Sequence, residues 1–346
     1  MTRASPAIVS TPAVDLESTA RMLVQPAKGI LAADETPATI GKRFDALGIP
    51  STPETRRAYR ELLISSPGLS DVLNGVILQD ETIRQSLSTG TPFAEAVRER
   101  GMIPGIKVDK GAKPLAGAPG ETVTEGLDGL RERIAEYVQL GARFSKWRAV
   151  ISIGDGIPTQ RAIVANAHAL ARYAGLSQEG GLVPIVEPEV LIDGDHSIGQ
   201  CFDATVAMLR ELFQQLAEQA VVLEALVLKT SMVLSGKASK EQAPVERVAE
   251  MTVRCLRQTV PAAVPGVAFL SGGQSPKLAV RHLDAINRQG QQPWQLTFSY
   301  ARGLQDPALA AWKGQAGQLA AAQAAFIRQA RLVAAARSGS YSDDMD

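Results

Sequence analysis

Eight short apolar runs, each broken by turn residues and followed by a stretch of helical character, divide the chain into repeating units. The runs are GILAADE (29–35), GVILQDE (75–81), IPGIKVDKG (103–111), ARFSKWRAVI (142–151), GLVPIVEPEV (181–190), ALVLKTSMV (225–233), GVAFLSGG (266–273) and WQLTFSYA (294–301). Segments 54–64, 125–140, 159–175, 200–219, 244–259 and 276–288 between them read as helices. Strand and helix alternating eight times without a Gly/Ser/Pro-rich linker predicts α/β architecture, a single (β/α)8 TIM barrel with additional N- and C-terminal helical segments. A doubly wound open sheet fits less well, because no G-x-G-x-x-G follows the first strand. After the eighth strand, Asp306 reads as an N-cap and Pro307 as the first residue of an Ala-rich C-terminal helix. The pattern sets residues 1–20 apart as an N-terminal extension, 21–337 as the barrel with its C-terminal helix, and 338–346 as a flexible, solvated tail.

Polar residues break the apolar pattern where the strands end. Asp34 and Glu35 close the first run. Lys107 and Asp109 stand two apart in the third, Lys146 and Arg148 in the fourth, Glu187 and Glu189 in the fifth. A spacing of two puts both members of a pair on one side of a strand. Lys229 lies in VLEALVLKTSMV, a run otherwise fit for an inner strand, and a charge there is costly unless it has a task. The C-terminal strand ends of a TIM barrel form its active face, so these groups converge on one mouth, where they perturb one another's pKa values.

Composition narrows the function further. The 346 residues contain 36 Lys+Arg and 36 Asp+Glu, so no net field favours nucleic acid or an anionic membrane. No apolar run has the length to cross a bilayer. The first residues lack the apolar core of a signal peptide, Asp15 and Glu17 argue against a transit peptide, and Cys201 and Cys255 fit a reduced compartment, which together predict a cytoplasmic protein. His168, His196 and His282 are scattered without ligand spacing, so neither metal nor another cofactor is expected. DGDH (193–196) reads as a polar turn.

The chemistry these residues fit is imine formation. A lysine desolvated by an apolar wall and flanked by a second cation has a lowered pKa and attacks a ketone as the free amine. Lys229 with Lys146 beside it fits that description, and Glu187 is placed to move protons on and off the carbinolamine. Ser271 and Gly272 of the SGG turn, with Arg302 after the eighth strand, match the phosphate site found after the last two strands of many barrels. A phosphorylated ketone is the implied substrate.

The stretches GILAADE, GVILQDET, GIKVDKG, PLAG with GETVTEGLDGL, FSKWRAV, IVEPEVLIDGDH, VLKTSMV, FLSGGQS and LTFSYARGLQ resemble class I fructose-bisphosphate aldolase, in order, over about residues 20–341. The resemblance implies reversible cleavage of fructose 1,6-bisphosphate to dihydroxyacetone phosphate and glyceraldehyde 3-phosphate, in glycolysis and gluconeogenesis, without a metal. It implies a Schiff base at Lys229, support from Lys146, acid/base work by Glu187, and Asp34 as partner at the bond being broken. Arg148 and Glu189 would organise the cleft. Ser271, Gly272 and Arg302 would hold the ketone-side phosphate, and Lys107 with the loop after the first strand the aldehyde-side phosphate. Thr36, Thr39, Arg43 and Ser299 would also contact substrate. A homo-oligomer, by family likeness a tetramer, is implied as well.

Departures from the family pattern fall at phosphate contacts. ADETPATIGKR (32–43) stands where the family commonly reads ADESTGSIAKR, so Thr36 and Thr39 replace serines and Pro37 and Ala38 stiffen that loop; SYAR replaces SYGR, putting Ala301 at a glycine position. A transaldolase-like or deoxyribose-phosphate-type barrel would need fewer phosphate contacts. A non-catalytic scaffold would have lost one of Lys229, Glu187 or Asp34, and all are present.

Overall fold

The computed structural model describes residues 15–346. Its strands are β1 (Gly29–Ala33), β2 (Leu73–Leu78), β3 (Ile103–Lys107), β4 (Ala112–Pro114), β5 (Thr122–Thr124), β6 (Phe144–Ile151), β7 (Val183–Val190), β8 (Val227–Thr230), β9 (Gly266–Phe269) and β10 (Gln295–Tyr300). All but β4 and β5 join as parallel neighbours into one closed barrel, in the order β1-β10-β9-β8-β7-β6-β3-β2. The predicted (β/α)8 barrel is therefore observed. Strands β4 and β5 form a separate antiparallel hairpin between β3 and β6, which the apolar pattern does not announce because β4 is fully exposed.

The α-helices are α1 (Leu16–Leu23), α2 (Pro37–Asp45), α3 (Pro53–Ile64), α4 (Asp80–Ile83), α5 (Phe93–Glu99), α6 (Leu130–Gln139), α7 (Gln160–Glu179), α8 (Ile198–Glu218), α9 (Val245–Thr259), α10 (Pro276–Asn287), α11 (Arg302–Trp312) and α12 (Leu319–Arg337). Helix α1 closes the N-terminal end of the barrel. Its Ala20 and Leu23, with Val24 just after it, pack into the apolar cluster formed by Ile30, Ile77, Ile185 and Val227 inside the barrel. The approach is close enough that a Cβ on Gly75 would lie 2.9 Å from Leu23, and one on Gly266 2.7 Å from Val24. The boundary expected after residue 20 thus falls inside a helix; the rest of the expected extension, residues 1–14, lies outside the described residues.

Three further expectations are corrected. The segment after β1, read as a loop, is helix α2: Thr36 caps it by accepting from the Thr39 amide, Pro37 takes its first turn, and Ile40 and Phe44 turn inward one helical turn apart. Asp306 and Pro307 do not begin the last helix but lie within α11. Pro307 has no N–H for the carbonyl of Gly303, and Gln329 of α12 donates to that carbonyl instead at 2.9 Å, which is how the helix runs through a proline. The tail is docked rather than solvated. Tyr341 is 4% exposed, its amide donates to Asp284 of α10 at 2.9 Å, and Lys277 of α10 pairs with Asp346 at 2.7 Å. The Tyr341 hydroxyl donates to Asp343 and Asp346 at 3.1 Å each, and both acids pair with Lys277 of α10.

Candidate active site

Lys229 is the penultimate residue of the short strand β8 and is 3% exposed. Its Nζ lies 3.0 Å from Oε1 of Glu187 on the neighbouring strand β7. Lys146, on β6, approaches the other oxygen of Glu187 at 2.8 Å and the Asp34 carboxylate, after β1, at 2.9 Å. Four ionisable groups, three on separate strands and Asp34 just after β1, thus form a buried chain, Asp34–Lys146–Glu187–Lys229.

The charge states follow from this order. Burial holds the Lys229 pKa below its usual 10.5; the Glu187 carboxylate opposes that and Lys146 reinforces it. For Lys146 burial also disfavours charge, but Asp34 and Glu187 outweigh it and raise its pKa. Asp34 falls from 3.8 to about 2, its burial overcome by Lys146 and then Lys229. Glu187 is likewise lowered, burial being outweighed by Lys146, Lys229 and Arg148. Two adjacent lysines are pushed in opposite directions, one towards free amine and the other towards permanent ammonium.

The surrounding cleft, about 470 Å³, opens at the C-terminal ends of the strands and is lined by every site residue predicted above. A larger groove of 660 Å³ on the outside of α12 carries only Arg328 and Arg331 as charged groups. Arg148 crosses to Glu189, Nε to Oε2 at 2.5 Å, and Lys107 pairs with Asp109 at 2.5 Å. Ser299 on β10 is 1% exposed, and its hydroxyl has no hydrogen-bond partner among the described residues.

The family model described as fructose-bisphosphate aldolase class-I matches residues 15–346. The chain belongs to the class I fructose-bisphosphate aldolase family. Among its relatives are a probable fructose-bisphosphate aldolase class 1 of Xanthomonas campestris, 58% identical over 91% of this chain and 95% of the relative. The cytosolic fructose-bisphosphate aldolase 4 of Arabidopsis thaliana is 48% identical over 95% of this chain and 84% of the relative. The solved fructose-bisphosphate aldolase of Plasmodium falciparum, in complex with TRAP and a small-molecule inhibitor, superposes with a TM-score of 0.94 at 45% identity, covering 95% of this chain and 96% of that one. The reaction of this aldolase is the metal-independent, reversible cleavage of fructose 1,6-bisphosphate to dihydroxyacetone phosphate and glyceraldehyde 3-phosphate through a lysine Schiff base, a step of glycolysis and gluconeogenesis.

The aldolase cleft has two further cationic corners. In one, Ser271, Gly272 and Gly273 form a turn whose glycines take φ of 57° and 85°, and the amides of Gly272 and Gly273 make no hydrogen bond within the described residues. Arg302, the first residue of α11, faces this turn and has no ion-pair partner among the described residues. Ala301, where the family commonly has glycine, adopts φ of −99°, outside the left-handed region that favours glycine. In the other corner, Thr36 and Thr39 sit at the N-terminus of α2, with Lys42 one turn further on and Lys107 also lining the cleft. Arg43 lines the cleft too, but its guanidinium is held by Glu35 at 2.6 Å, Gln305 at 3.0 Å and Asp306 at 3.0 Å, and so ties α2 to α11.

Two cations escaped the sequence reading. Lys42 is recognisable once 37–45 is read as a helix, because Thr36 before Pro37 and Ile40 before Phe44 are helix signals. Lys237 lies in coil after β8, where no periodicity points to it.

Proposed function

We propose that Lys229 is the nucleophile, Glu187 its proton carrier, Lys146 the fixed cation between two carboxylates, and Asp34 the group at the bond that breaks. The observation that carries this is the single Glu187 carboxylate contacted by both lysines, at 3.0 and 2.8 Å. Lys229 passes its ammonium proton to Glu187, 3.0 Å away, and the resulting neutral amine attacks C2 of the open-chain ketose. Glu187 delivers a proton to the departing hydroxyl as the carbinolamine loses water, leaving a protonated imine. The C3–C4 pair then flows to the iminium nitrogen as the C4 hydroxyl proton passes to Asp34, releasing the aldehyde. The enamine takes a proton at C3 from solvent while Asp34 returns its own to solvent, and hydrolysis of the imine then releases Lys229 and dihydroxyacetone phosphate. Lys146 holds Asp34 and Glu187 ionised between steps.

The ketone-side phosphate is assigned to the free amides of the 271–273 turn and the Arg302 fork. The aldehyde-side phosphate is assigned to the N-terminus of α2, with the Thr36 and Thr39 hydroxyls, Lys42 and Lys107. Ser299 offers its unpartnered hydroxyl to the substrate backbone, Arg148 and Glu189 fix the wall between the two corners, and Arg43 holds that wall indirectly. A cytoplasmic setting is part of the same proposal, supported by the cytosolic plant relatives. So is a homo-oligomer, a tetramer by family likeness, which native mass spectrometry tests.

Borohydride reduction in the presence of dihydroxyacetone phosphate, followed by peptide mapping, tests the assignment. Label is expected on Lys229, with loss of activity, and EDTA is expected to leave the untreated enzyme active. Label confined to Lys146 or Lys107 would overturn it.

A further inference from the structure

The position of Lys237 is fixed by its backbone. The Lys237 amide donates to the carbonyl of Ile192 at 2.8 Å, the Gly236 amide to His196 at 2.8 Å and the Ala238 amide to Gly194 at 2.8 Å. These bonds clamp the loop after β8 to the loop after β7, the polar DGDH turn. The clamp is tight: a Cβ on Gly236 would lie 2.4 Å from the Gly194 carbonyl oxygen. From this support the Lys237 side chain reaches across to the neighbouring βα loop. Its Nζ lies 2.9 Å from the point a Cβ on Gly273 would occupy, and Arg302 Nη2 lies 3.2 Å from that same point.

Two cationic groups therefore meet over one glycine whose amide is free. Like charges so placed repel unless an anion lies between them. The counter-charge beside them is Asp193, 3.4 Å from Lys237 and 69% exposed, a weak and solvent-screened partner. Arg302 has no ion-pair partner among the described residues. We infer that Lys237 belongs to the ketone-side phosphate site, closing with Arg302 over the 272–273 amides when a phosphate dianion enters. This rests on the assignment of that phosphate to Arg302 and the 271–273 turn. Lys237 is a specificity-determining residue here: it recognises a phosphorylated ketone over an unphosphorylated one and takes no part in the bond changes at Lys229.

Borohydride trapping at Lys229 is measured as a function of ketone concentration, using dihydroxyacetone phosphate and unphosphorylated dihydroxyacetone, in the parent, Lys237→Met, Lys237→Arg and Asp193→Asn. One charge-assisted contact at a partly exposed site corresponds to roughly five- to tenfold weaker half-saturation by dihydroxyacetone phosphate in Lys237→Met. Dihydroxyacetone should be trapped as in the parent, and Lys237→Arg should recover most of the phosphate preference. Asp193→Asn should leave that preference unchanged or strengthen it. Unchanged half-saturation in Lys237→Met, equal weakening for both ketones, or weakening in Asp193→Asn as large as in Lys237→Met would overturn the inference, the last two by tracing the effect to loop packing. Failure of the parent to be trapped at Lys229 would instead overturn the mechanism on which it rests.

Discussion

Lys146 and Lys229 contact opposite oxygens of the same carboxylate, that of Glu187, at 2.8 and 3.0 Å. In the proposed mechanism one of these lysines stays charged and the other does not; their pKa values are pushed in opposite directions, and the difference lies in their further neighbours. Lys146 has Asp34 as a second anion at 2.9 Å; Lys229, equally buried, has Glu187 alone as ion-pair partner among the described residues and faces Lys146.

This asymmetry makes a pH prediction. The reactive amine of Lys229 increases as pH rises through a pKa held below the usual 10.5. Replacing Lys146 with Met removes the repelling cation and leaves Glu187 to Lys229 alone, and both changes raise that pKa. The pH profile of imine trapping is expected to shift to higher pH in Lys146→Met and to keep its position in Lys146→Arg, even where turnover falls in both.

Glu187→Gln keeps the shape of the carboxylate and removes its proton chemistry. General acid–base catalysis accounts for roughly 10²–10⁴ in rate, so single-turnover imine formation should slow by that order. Binding of fructose 1,6-bisphosphate, read by competition, should change much less.

Arg302→Ala removes a potentially bidentate contact to phosphate, worth about 1.5–3 kcal/mol. A fall in kcat/KM for fructose 1,6-bisphosphate of roughly ten- to a hundredfold is expected from that energy. A variant equal to the parent would move the phosphate elsewhere.

Asp34 supplies a stability test. Its pKa is lower in the folded chain, about 2 against 3.8, so its contribution is fully present above the higher value and is lost as pH falls through the lower one. Denaturant titration should find Asp34→Asn about 2 kcal/mol less stable at pH 7. The gap should close as pH drops from about 4 towards 2.

Deleting residues 340–346 removes Tyr341 from its packed position against α10 and cuts the bridges from Lys277 to Asp343 and Asp346. A buried aromatic ring is worth about 3 kcal/mol, so the melting temperature should fall by several degrees. Well below that temperature, cleavage should stay within a few-fold of the parent.

The barrel and the chain of charges were legible because both rest on short-range regularities. Parallel strands covered on both faces read as apolar runs, and a lysine such as Lys229 within one stands out against them. Pairs such as Lys146 and Arg148 share a face by the two-residue repeat alone. What was not legible depends on contacts between distant segments. Pro307 looked like a helix start because the donor that replaces its missing bond, Gln329, comes from another helix. Arg43 looked free because Asp306 and Gln305 approach it from over 260 positions away in sequence. Tyr341 looked solvated because its partners, Asp284 and Lys277, belong to α10. Lys237 was invisible because three loop hydrogen bonds, not periodicity, place it.

Helix α1 sets the traffic of the reaction. With Leu23 and Val24 filling the far end of the barrel, there is no back door among the described residues, and whatever enters the cleft leaves by the same mouth. On the assignment proposed above, the three-carbon ketone is still moored to Lys229 through nitrogen after the carbon–carbon bond breaks, whereas the aldehyde is loose. The aldehyde therefore departs first in cleavage and arrives second in condensation, so its concentration governs how often a moored enamine is returned to hexose before water can free it.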